Sequence, residues 1–175
     1  MKKYCLDSSV FILIFLFLIF ALTNLSFLIG ASISYWQVIV SLILAMLFLY
    51  SRKDFFKKVL IILVIFFLSF VFANLFIDTS FDGRCYHFTL ENLFKLGFNP
   101  FYDDIEIFAN ENNIFYNLLF AKSYPNALEL LRANFYFIFQ NMESSKIVNF
   151  SSSVIFSLNF EKSSCFLLFW VTVNS

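Results

Sequence analysis

The sequence predicts an all-α protein, a polytopic transmembrane chain with about four or five spans and one extracytoplasmic loop that carries a short amphipathic helix. Composition is the first indication: 61% of the 175 residues are hydrophobic and 14% are charged. Soluble domains are about 45–50% apolar and about 25% charged. The second indication is that the apolar residues occur in long unbroken runs. Three parts follow: three N-terminal spans over 1–77, a loop with a surface helix over 78–126, and one or two further membrane helices over 127–175.

The first span is predicted over residues 10–29, where the run from Val10 to Leu22 contains no polar residue. About 20 apolar residues cross the hydrocarbon core of a bilayer, and this stretch has that length. A cleaved signal peptide is the rival interpretation, because Lys2 and Lys3 precede the run. The run is longer than the usual apolar region of a signal peptide, and no clear cleavage site follows it. We therefore retain it as a span.

The second and third spans are predicted over residues 36–50 and 59–77, with residues from Ile33 onward adding a turn to the shorter second span. The connection between them, residues 51–58, holds four of the twelve basic residues. Two crossings separate this basic connection from Lys2 and Lys3, so both lie on one side. The positive-inside rule makes that side cytoplasmic, which places the N-terminus in the cytoplasm and the loop over 78–126 outside.

The loop over 78–126 carries most of the residues that are suited to chemistry. Its first part contains Asp78, Asp82, Arg84 and the single histidine, His87. Apolar spacing over 86–96 predicts a short helix that ends at Gly97 and lies on the membrane surface with its aromatic face down. Residues 102–117 are acidic and rich in asparagine, which predicts a solvated loop with a weak helical tendency.

The remainder of the chain is less regular. Residues 126–140 form a helical pattern in which Glu129 and Arg132 lie three apart, a pair that membrane helices tolerate when it faces a bundle interior or a water-filled cavity. As a fourth span, this helix would leave residues 142–146 facing the cytoplasm. A further apolar stretch covers 147–160, and the apolar run over 165–173 is too short to span as a helix.

The polar residues at the start of the loop allow two interpretations. Asp78 and Asp82 lie four apart with Arg84 and His87 close behind, a set that suits general acid–base chemistry and phosphate binding. Alternatively, Asp82 caps the helix, Asp78 marks the membrane boundary and His87 is an interfacial polar residue. Spacing alone leaves both open. Ligands for a metal site are too few, and no cofactor is indicated.

Several spaced elements resemble bacterial polytopic proteins related to the GT-C class of membrane glycosyltransferases. These elements are Asp78-Thr-Ser-Phe-Asp82-Gly83-Arg84-Cys-Tyr86-His87, then Gly97-Phe98-Asn99-Pro100, then Tyr124-Pro125 and the run from Asn141 to Asn149. The resemblance covers roughly residues 60–150. It implies a bacterial inner-membrane protein that uses a polyprenyl-phosphate-linked sugar. It also implies that Asp78 acts as general base or positions the acceptor, with assistance from Asp82, while Arg84 and His87 contact phosphate.

Departures from that pattern qualify the expected activity. Members of the class have more spans than this chain, and Asn126 stands where a lysine is expected after Tyr-Pro. We therefore expect the N-terminal portion of a larger enzyme, with little activity alone. The alternative is a small non-enzymatic membrane subunit whose Glu129 and Arg132 pair with charges of another chain. A transporter fragment is a third hypothesis.

The expected partners are the lipid bilayer, a polyprenyl-phosphate sugar and other membrane subunits, with no nucleic acid. The formal net charge is zero, and no basic-aromatic pattern for DNA or RNA occurs. The three cysteines, Cys5, Cys85 and Cys165, are odd in number and far apart, which argues against a disulfide framework.

Overall fold

The computed structural model describes residues 2–50, 52–77, 87–114 and 127–159, and within these ranges the chain is helical with no strand. Seven α-helices and one 3₁₀ turn occur in the described part. In chain order they are α1 Lys2–Leu28, α2 Tyr35–Tyr50, α3 Phe55–Leu75, α4 Phe88–Leu96, α5 Ile105–Glu111, α6 Ala127–Phe139, the 3₁₀ turn Glu143–Lys146 and α7 Ile147–Asn159. The all-α prediction is confirmed for these residues.

Helices α1 and α3 lie side by side with their N-terminal ends together. The Nζ atom of Lys58, near the start of α3, lies 2.6 Å from Oδ2 of Asp7, near the start of α1. Helix α2 turns back along α1 after the short connection over residues 29–34. Its face toward α1 carries Ser41, Ala45 and Leu49, all buried and spaced at four residues, which is the spacing of one helix ridge. The prediction that the basic connection and the N-terminus lie on the same side therefore agrees with this contact.

Two of the helices are long and apolar enough to cross a bilayer. They are Leu6–Leu28 of α1 and Phe55–Leu75 of α3, whereas α2 is a shorter apolar helix of 16 residues. Only 28% of the apolar window of α3 is buried. Its outward side chains include Leu60, Leu63 and Phe67, which are 59–65% exposed. A continuous apolar surface of this kind is typical of an interaction surface or a membrane-facing surface rather than of a soluble monomer.

Helix α4 ends as the sequence predicts, at Gly97. That residue has φ 108°, a left-handed conformation that glycine adopts without a Cβ clash, and its N–H donates to the carbonyl of Phe94 at 3.2 Å. The N–H of the following Phe98 donates to the carbonyl of Leu93 at 3.0 Å, which completes the helix end. The chain then turns at Pro100 and lies across the C-terminal end of α1.

The predicted surface placement of α4 is wrong in one respect: its apolar face packs against protein. Phe94 stacks on Phe27 of α1 with ring centroids 5.8 Å apart, and Leu90 and Leu93 are fully buried in the same cluster. Two hydrogen bonds hold this segment on α1, from Asn99 Nδ2 to the carbonyl of Phe27 at 2.9 Å and from the Tyr102 hydroxyl to the carbonyl of Leu28 at 2.6 Å. The last carbonyls of α1 thus find donors in the loop instead of water.

A two-turn helix, α5, replaces part of the solvated loop that was predicted over 102–117. Asp104 caps it, since its Oδ1 accepts from the N–H of Glu106 at 2.8 Å and of Ile107 at 3.2 Å. Ile105 and Ala109 face inward and are buried. The weak helical tendency was therefore enough to form a helix once a cap and an apolar face were both available.

Helix α6 begins beside the C-terminal end of α1 and ends beside that of α3, so, unlike the fourth span considered over 126–140, it does not run from one end of the bundle to the other. Asn141, just after α6, donates from Nδ2 to Oδ1 of Asn74 at 2.7 Å, and Lys146 Nζ hydrogen-bonds the carbonyl of Phe76. Both contacts lie at the C-terminal end of α3. Lys58 is near the opposite end of that helix, about 27 Å away at 1.5 Å per residue.

Helix α7 runs from this end back along α3. Phe150 stacks on Phe72 with ring centroids 6.3 Å apart, and Ile147 and Val148 join the core formed by α1, α2 and α3. The chain position rises along α7 while it falls along the facing part of α3, from Phe76 to Phe72, so the two helices are antiparallel. The fourth helix that packs lengthwise against α3 is therefore α7 rather than α6.

Candidate functional site

A buried cluster of charged side chains lies where α4, α6 and the 3₁₀ turn meet. Glu91, Glu129 and Arg132 are each no more than 3% exposed. On α6, Glu129 and Arg132 are three residues apart, and at the start of α4, His87 and Glu91 are four apart, so each pair lies on one helix face. The two faces oppose each other, and each acidic or basic residue meets a partner on the other helix.

The first of these pairs is formed by Glu91 and Arg132. Oε1 of Glu91 lies 2.9 Å from Nε of Arg132. The guanidinium also donates to the hydroxyl of Ser145, with Nε and Nη2 both at 3.4 Å, and its carbon lies 5.6 Å from the ring centroid of Phe88. Arg132 therefore joins α4, α6 and the 3₁₀ turn through one planar group.

Glu91 lies outside the long apolar helices and titrates abnormally. Burial raises its pKa from 4.5 to about 7, and the positive charge of Arg132 opposes that rise. The Ser145 hydroxyl also opposes the rise, whereas the negative charges of Glu129 and Glu143 add to it. Near neutral pH, this carboxyl group is therefore divided between its protonated and ionised forms.

The second pair is formed by His87 and Glu129. Nδ1 of His87 lies 2.5 Å from Oε1 of Glu129, within hydrogen-bond distance. The imidazole is 24% exposed, and the carboxylate is only 4% exposed. The second oxygen of Glu129, Oε2, is buried and has no hydrogen-bond partner among the described residues.

The cluster as a whole contains more carboxyl groups than permanent cations. Glu91, Glu129 and Glu143 provide three carboxyl groups, whereas Arg132 and Lys146 provide two cations. Lys146 forms an ion pair with Glu143 beside the 3₁₀ turn. One additional proton, on Glu91 or on His87, therefore brings the cluster to neutrality, as burial away from water favours.

An apolar cavity of about 300 Å³ lies at the same end of the bundle. Asn24 is its one amide, and the other residues that line it are Phe20, Phe27, Phe94, Pro100, Phe101, Ala127 and Leu130. The cavity lies between the end of α1, the α4–α5 connection and the start of α6. Its lining is suited to hydrocarbon and not to a free sugar or phosphate.

Of the predicted site residues, the described part of the chain includes only His87. Asp78, Asp82 and Arg84 lie outside the described residues, so the proposed roles of these three stay predictions. Glu91 was not predicted, although its i,i+4 spacing from His87 on an otherwise apolar helix face was a usable signal. Within the described ranges, no group of three or more His, Cys, Asp or Glu side chains is placed to hold a metal ion.

Glu129 and Arg132 face the protein interior, which is one of the two environments predicted to tolerate this charged pair. Their partners are His87 and Glu91 of the same chain. In the hypothesis of a non-enzymatic subunit, these two charged residues bind another chain. The pairs within this chain explain both charged residues without such a partner. Capture of a stoichiometric membrane partner that is lost in Glu129→Leu would still support that alternative.

Comparisons with protein-family models, with curated proteins and with solved structures find no match to this chain. The arguments for function therefore come from the buried charge pairs, their place in the fold and the motif that His87 completes.

Proposed function

We propose that the protein is a multi-pass protein of the bacterial inner membrane and forms the N-terminal portion of a GT-C-type glycosyltransferase that uses a polyprenyl-phosphate-linked sugar. The observation that carries this proposal is the pairing of His87 with Glu129. It joins the last residue of the Asp78–His87 motif to a buried charged cluster at one end of an apolar helix bundle. Buried ionisable groups in such proteins commonly mark paths of substrates or ions.

The proposed membrane arrangement has four crossings, by α1, α2, α3 and α7. The lengths of α1 and α3 and their exposed apolar side chains support it. Helix α6 and the 3₁₀ turn then lie at the extracytoplasmic end with α4 and α5. The basic residues 52–58 lie at the other end, which the positive-inside rule assigns to the cytoplasm.

The proposed roles follow the order of the chain. Asp78 acts as general base or positions the acceptor hydroxyl, and Asp82 assists it. Arg84 and His87 contact the phosphate of the lipid-linked donor. Because Nδ1 of His87 is engaged by Glu129, a phosphate contact by this ring would use Nε2. The apolar cavity beside Phe27 and Phe94 provides a surface for the hydrocarbon part of the donor.

Substitution of Asp78 by asparagine tests the proposed reaction. In the longest natural open reading frame, we expect Asp78→Asn to lower glycan transfer by about 100-fold or more, because loss of a general base or of a group that positions the acceptor costs about that much. Glu111→Gln is the matched control, since Glu111 is an exposed carboxylate at the end of α5. Equal transfer rates in the native protein and the Asp78 variant would remove the catalytic role.

A further inference from the structure

The contact between His87 and Glu129 differs in kind from the other pairs of the cluster. Arg132 carries a permanent positive charge. It can therefore bind Glu91, but it does not give up or take up a proton. Imidazole gains and loses a proton near neutral pH. In the third pair of the cluster, Glu143–Lys146, the basic group is an ammonium, a type of group that ordinarily keeps its proton near neutral pH, so among the described pairs His87–Glu129 is the one suited to proton exchange there.

We propose that His87 and Glu129 are a proton-accepting dyad, in which Glu129 is a positioning residue and His87 Nε2 takes the proton of the acceptor hydroxyl. This inference rests on the proposed function and deepens it. It assigns the general base to His87 in place of the phosphate contact, which then falls to Arg84, and it leaves Asp78 the other role considered for it, that of positioning the acceptor.

The geometry assigns the tautomer. Nδ1 is the nitrogen within 2.5 Å of a carboxylate oxygen, and a carboxylate accepts hydrogen bonds. Nδ1 therefore carries the proton in the neutral ring, and the acceptor lone pair lies on Nε2. The same relation between a buried carboxylate and an imidazole orients the histidine base of hydrolytic triads.

The charges around the ring favour proton uptake during a reaction. Glu129 on α6 contacts the ring directly, and Glu91, Glu143, Arg132 and Lys146 are the other charged side chains of the same cluster. With all three carboxyl groups ionised, the cluster carries one negative charge more than positive. A proton on His87 removes that imbalance, so the imidazolium formed in the reaction is stabilised by its surroundings.

The proposed step is balanced within the donor and the acceptor. The hydroxyl oxygen of the acceptor forms a bond to the anomeric carbon, and the bond from that carbon to the phosphate oxygen breaks. The hydroxyl proton moves to Nε2 of His87, and the polyprenyl phosphate leaves with the electron pair. The imidazolium then returns its proton to the departing phosphate or to water, which restores the dyad.

Nitrogen NMR of the full chain in lipid nanodiscs tests the dyad without any transfer assay. The chain contains a single histidine, so ¹⁵N-histidine labelling reports on His87 alone. We expect the neutral ring to be mainly the Nδ1–H tautomer. In Glu129→Leu, we expect the ratio of the two tautomers to shift toward Nε2–H by about tenfold or more, since a hydrogen bond to a charged group is lost. Glu106→Gln, which changes an exposed carboxylate on α5, is the control and keeps the native ratio.

A second measurement tests the reactivity of Nε2. Diethyl pyrocarbonate acylates an imidazole nitrogen that has a lone pair, and mass spectrometry of the His87 peptide gives the rate. We expect several-fold slower acylation in Glu129→Leu than in the native protein, and native-like acylation in Glu129→Gln only if the amide oxygen accepts from Nδ1. An unchanged tautomer ratio in Glu129→Leu, or a native ring that is mainly Nε2–H, would overturn the dyad.

These readouts separate the dyad from the proposed reaction. With the expected tautomer and acylation rate, loss of transfer in Glu129→Leu that lowers kcat and leaves the KM of the acceptor unchanged supports the whole proposal. Normal transfer in that variant, with the tautomer still confirmed, removes the general base role. Failure of Asp78→Asn to change transfer removes the proposed function by a different experiment and does not alter the NMR result.

Discussion

At the residue scale, Glu91 shows how burial and a charged neighbour act against each other on one side chain. Its carboxyl group is fully buried, which disfavours the ionised form, while Arg132 at 2.9 Å favours it. Burial has the larger effect and raises the pKa to about 7. Between about pH 4.5 and pH 7, the folded protein therefore holds a proton on Glu91 that the unfolded chain has already released.

This difference makes folding stability depend on pH. The contribution of Glu91 is present in full below pH 4.5 and is lost as the pH rises through about 7. Between these limits, we expect the native protein to lose up to about 3 kcal/mol of unfolding free energy relative to Glu91→Gln. Thermal unfolding in detergent at a series of pH values measures the difference.

The control for this prediction is Glu106→Gln, since Glu106 is exposed on α5. Its stability curve should run parallel to that of the native protein over the whole range. Replacement of the buried carboxyl group by an amide also changes the stability of Glu91→Gln by a constant amount, so the dependence of stability on pH is informative and the constant difference is not. Parallel curves for Glu91→Gln and the native protein would contradict the raised pKa.

At the element scale, how much the sequence could predict differs from helix to helix. Helices α1 and α3 were predictable because unbroken apolar runs of about 20 residues leave few alternatives. The end of α4 at Gly97 was predictable because few residues other than glycine adopt its conformation. These signals are local, and they depend on the chain within one or two turns.

The course of α6 could not be read from local pattern. Its return to the end of α3 depends on the hydrogen bond between Asn141 and Asn74, which are 67 residues apart, and on the Lys146 contact with the carbonyl of Phe76. A charged residue after an apolar helix suggested that the helix crosses the membrane. Here, however, Lys146 contacts acceptors in the same chain. The pairing of Glu129 with His87, 42 residues away, is hidden from sequence for the same reason.

The association of α1 with α3 provides an element-scale prediction. Lys58 is 2% exposed and its ion pair with Asp7 is short at 2.6 Å, so removal of the lysine takes a close cation away from a largely buried carboxylate. We expect Lys58→Met to lower the unfolding free energy by about 3–5 kcal/mol. Unfolding of the purified protein in mixed micelles measures the loss.

The adjacent lysine provides a matched control. Lys57 is 72% exposed and lies 3.9 Å from Asp54, so Lys57→Met should cost about 1 kcal/mol or less. The double variant Asp7→Leu/Lys58→Met should recover much of the loss, because both charges are then absent. Equal losses for Lys57→Met and Lys58→Met would show that the buried pair does not hold α1 to α3.

At the scale of the whole molecule, the two ends of the bundle differ in chemistry. One end carries the basic residues 52–58 and the Asp7–Lys58 pair. The other carries the charged cluster, the apolar cavity and the loop motif that ends at His87. Exposed leucine and phenylalanine side chains of α1 and α3 lie between the ends. The proposed membrane arrangement and the proposed reaction both depend on these ends facing opposite sides of a bilayer.

Labelling of two exposed positions in intact cells tests that dependence most directly. In a variant with Cys5, Cys85 and Cys165 replaced by serine, single cysteines are introduced as Glu106→Cys on α5 and Lys53→Cys before α3, both exposed positions. We expect a membrane-impermeant maleimide to label the Glu106→Cys protein in intact cells and the Lys53→Cys protein only after permeabilisation. Labelling of both positions in intact cells, or of Lys53→Cys alone, would contradict a bilayer-spanning bundle with the charged cluster on its outer side.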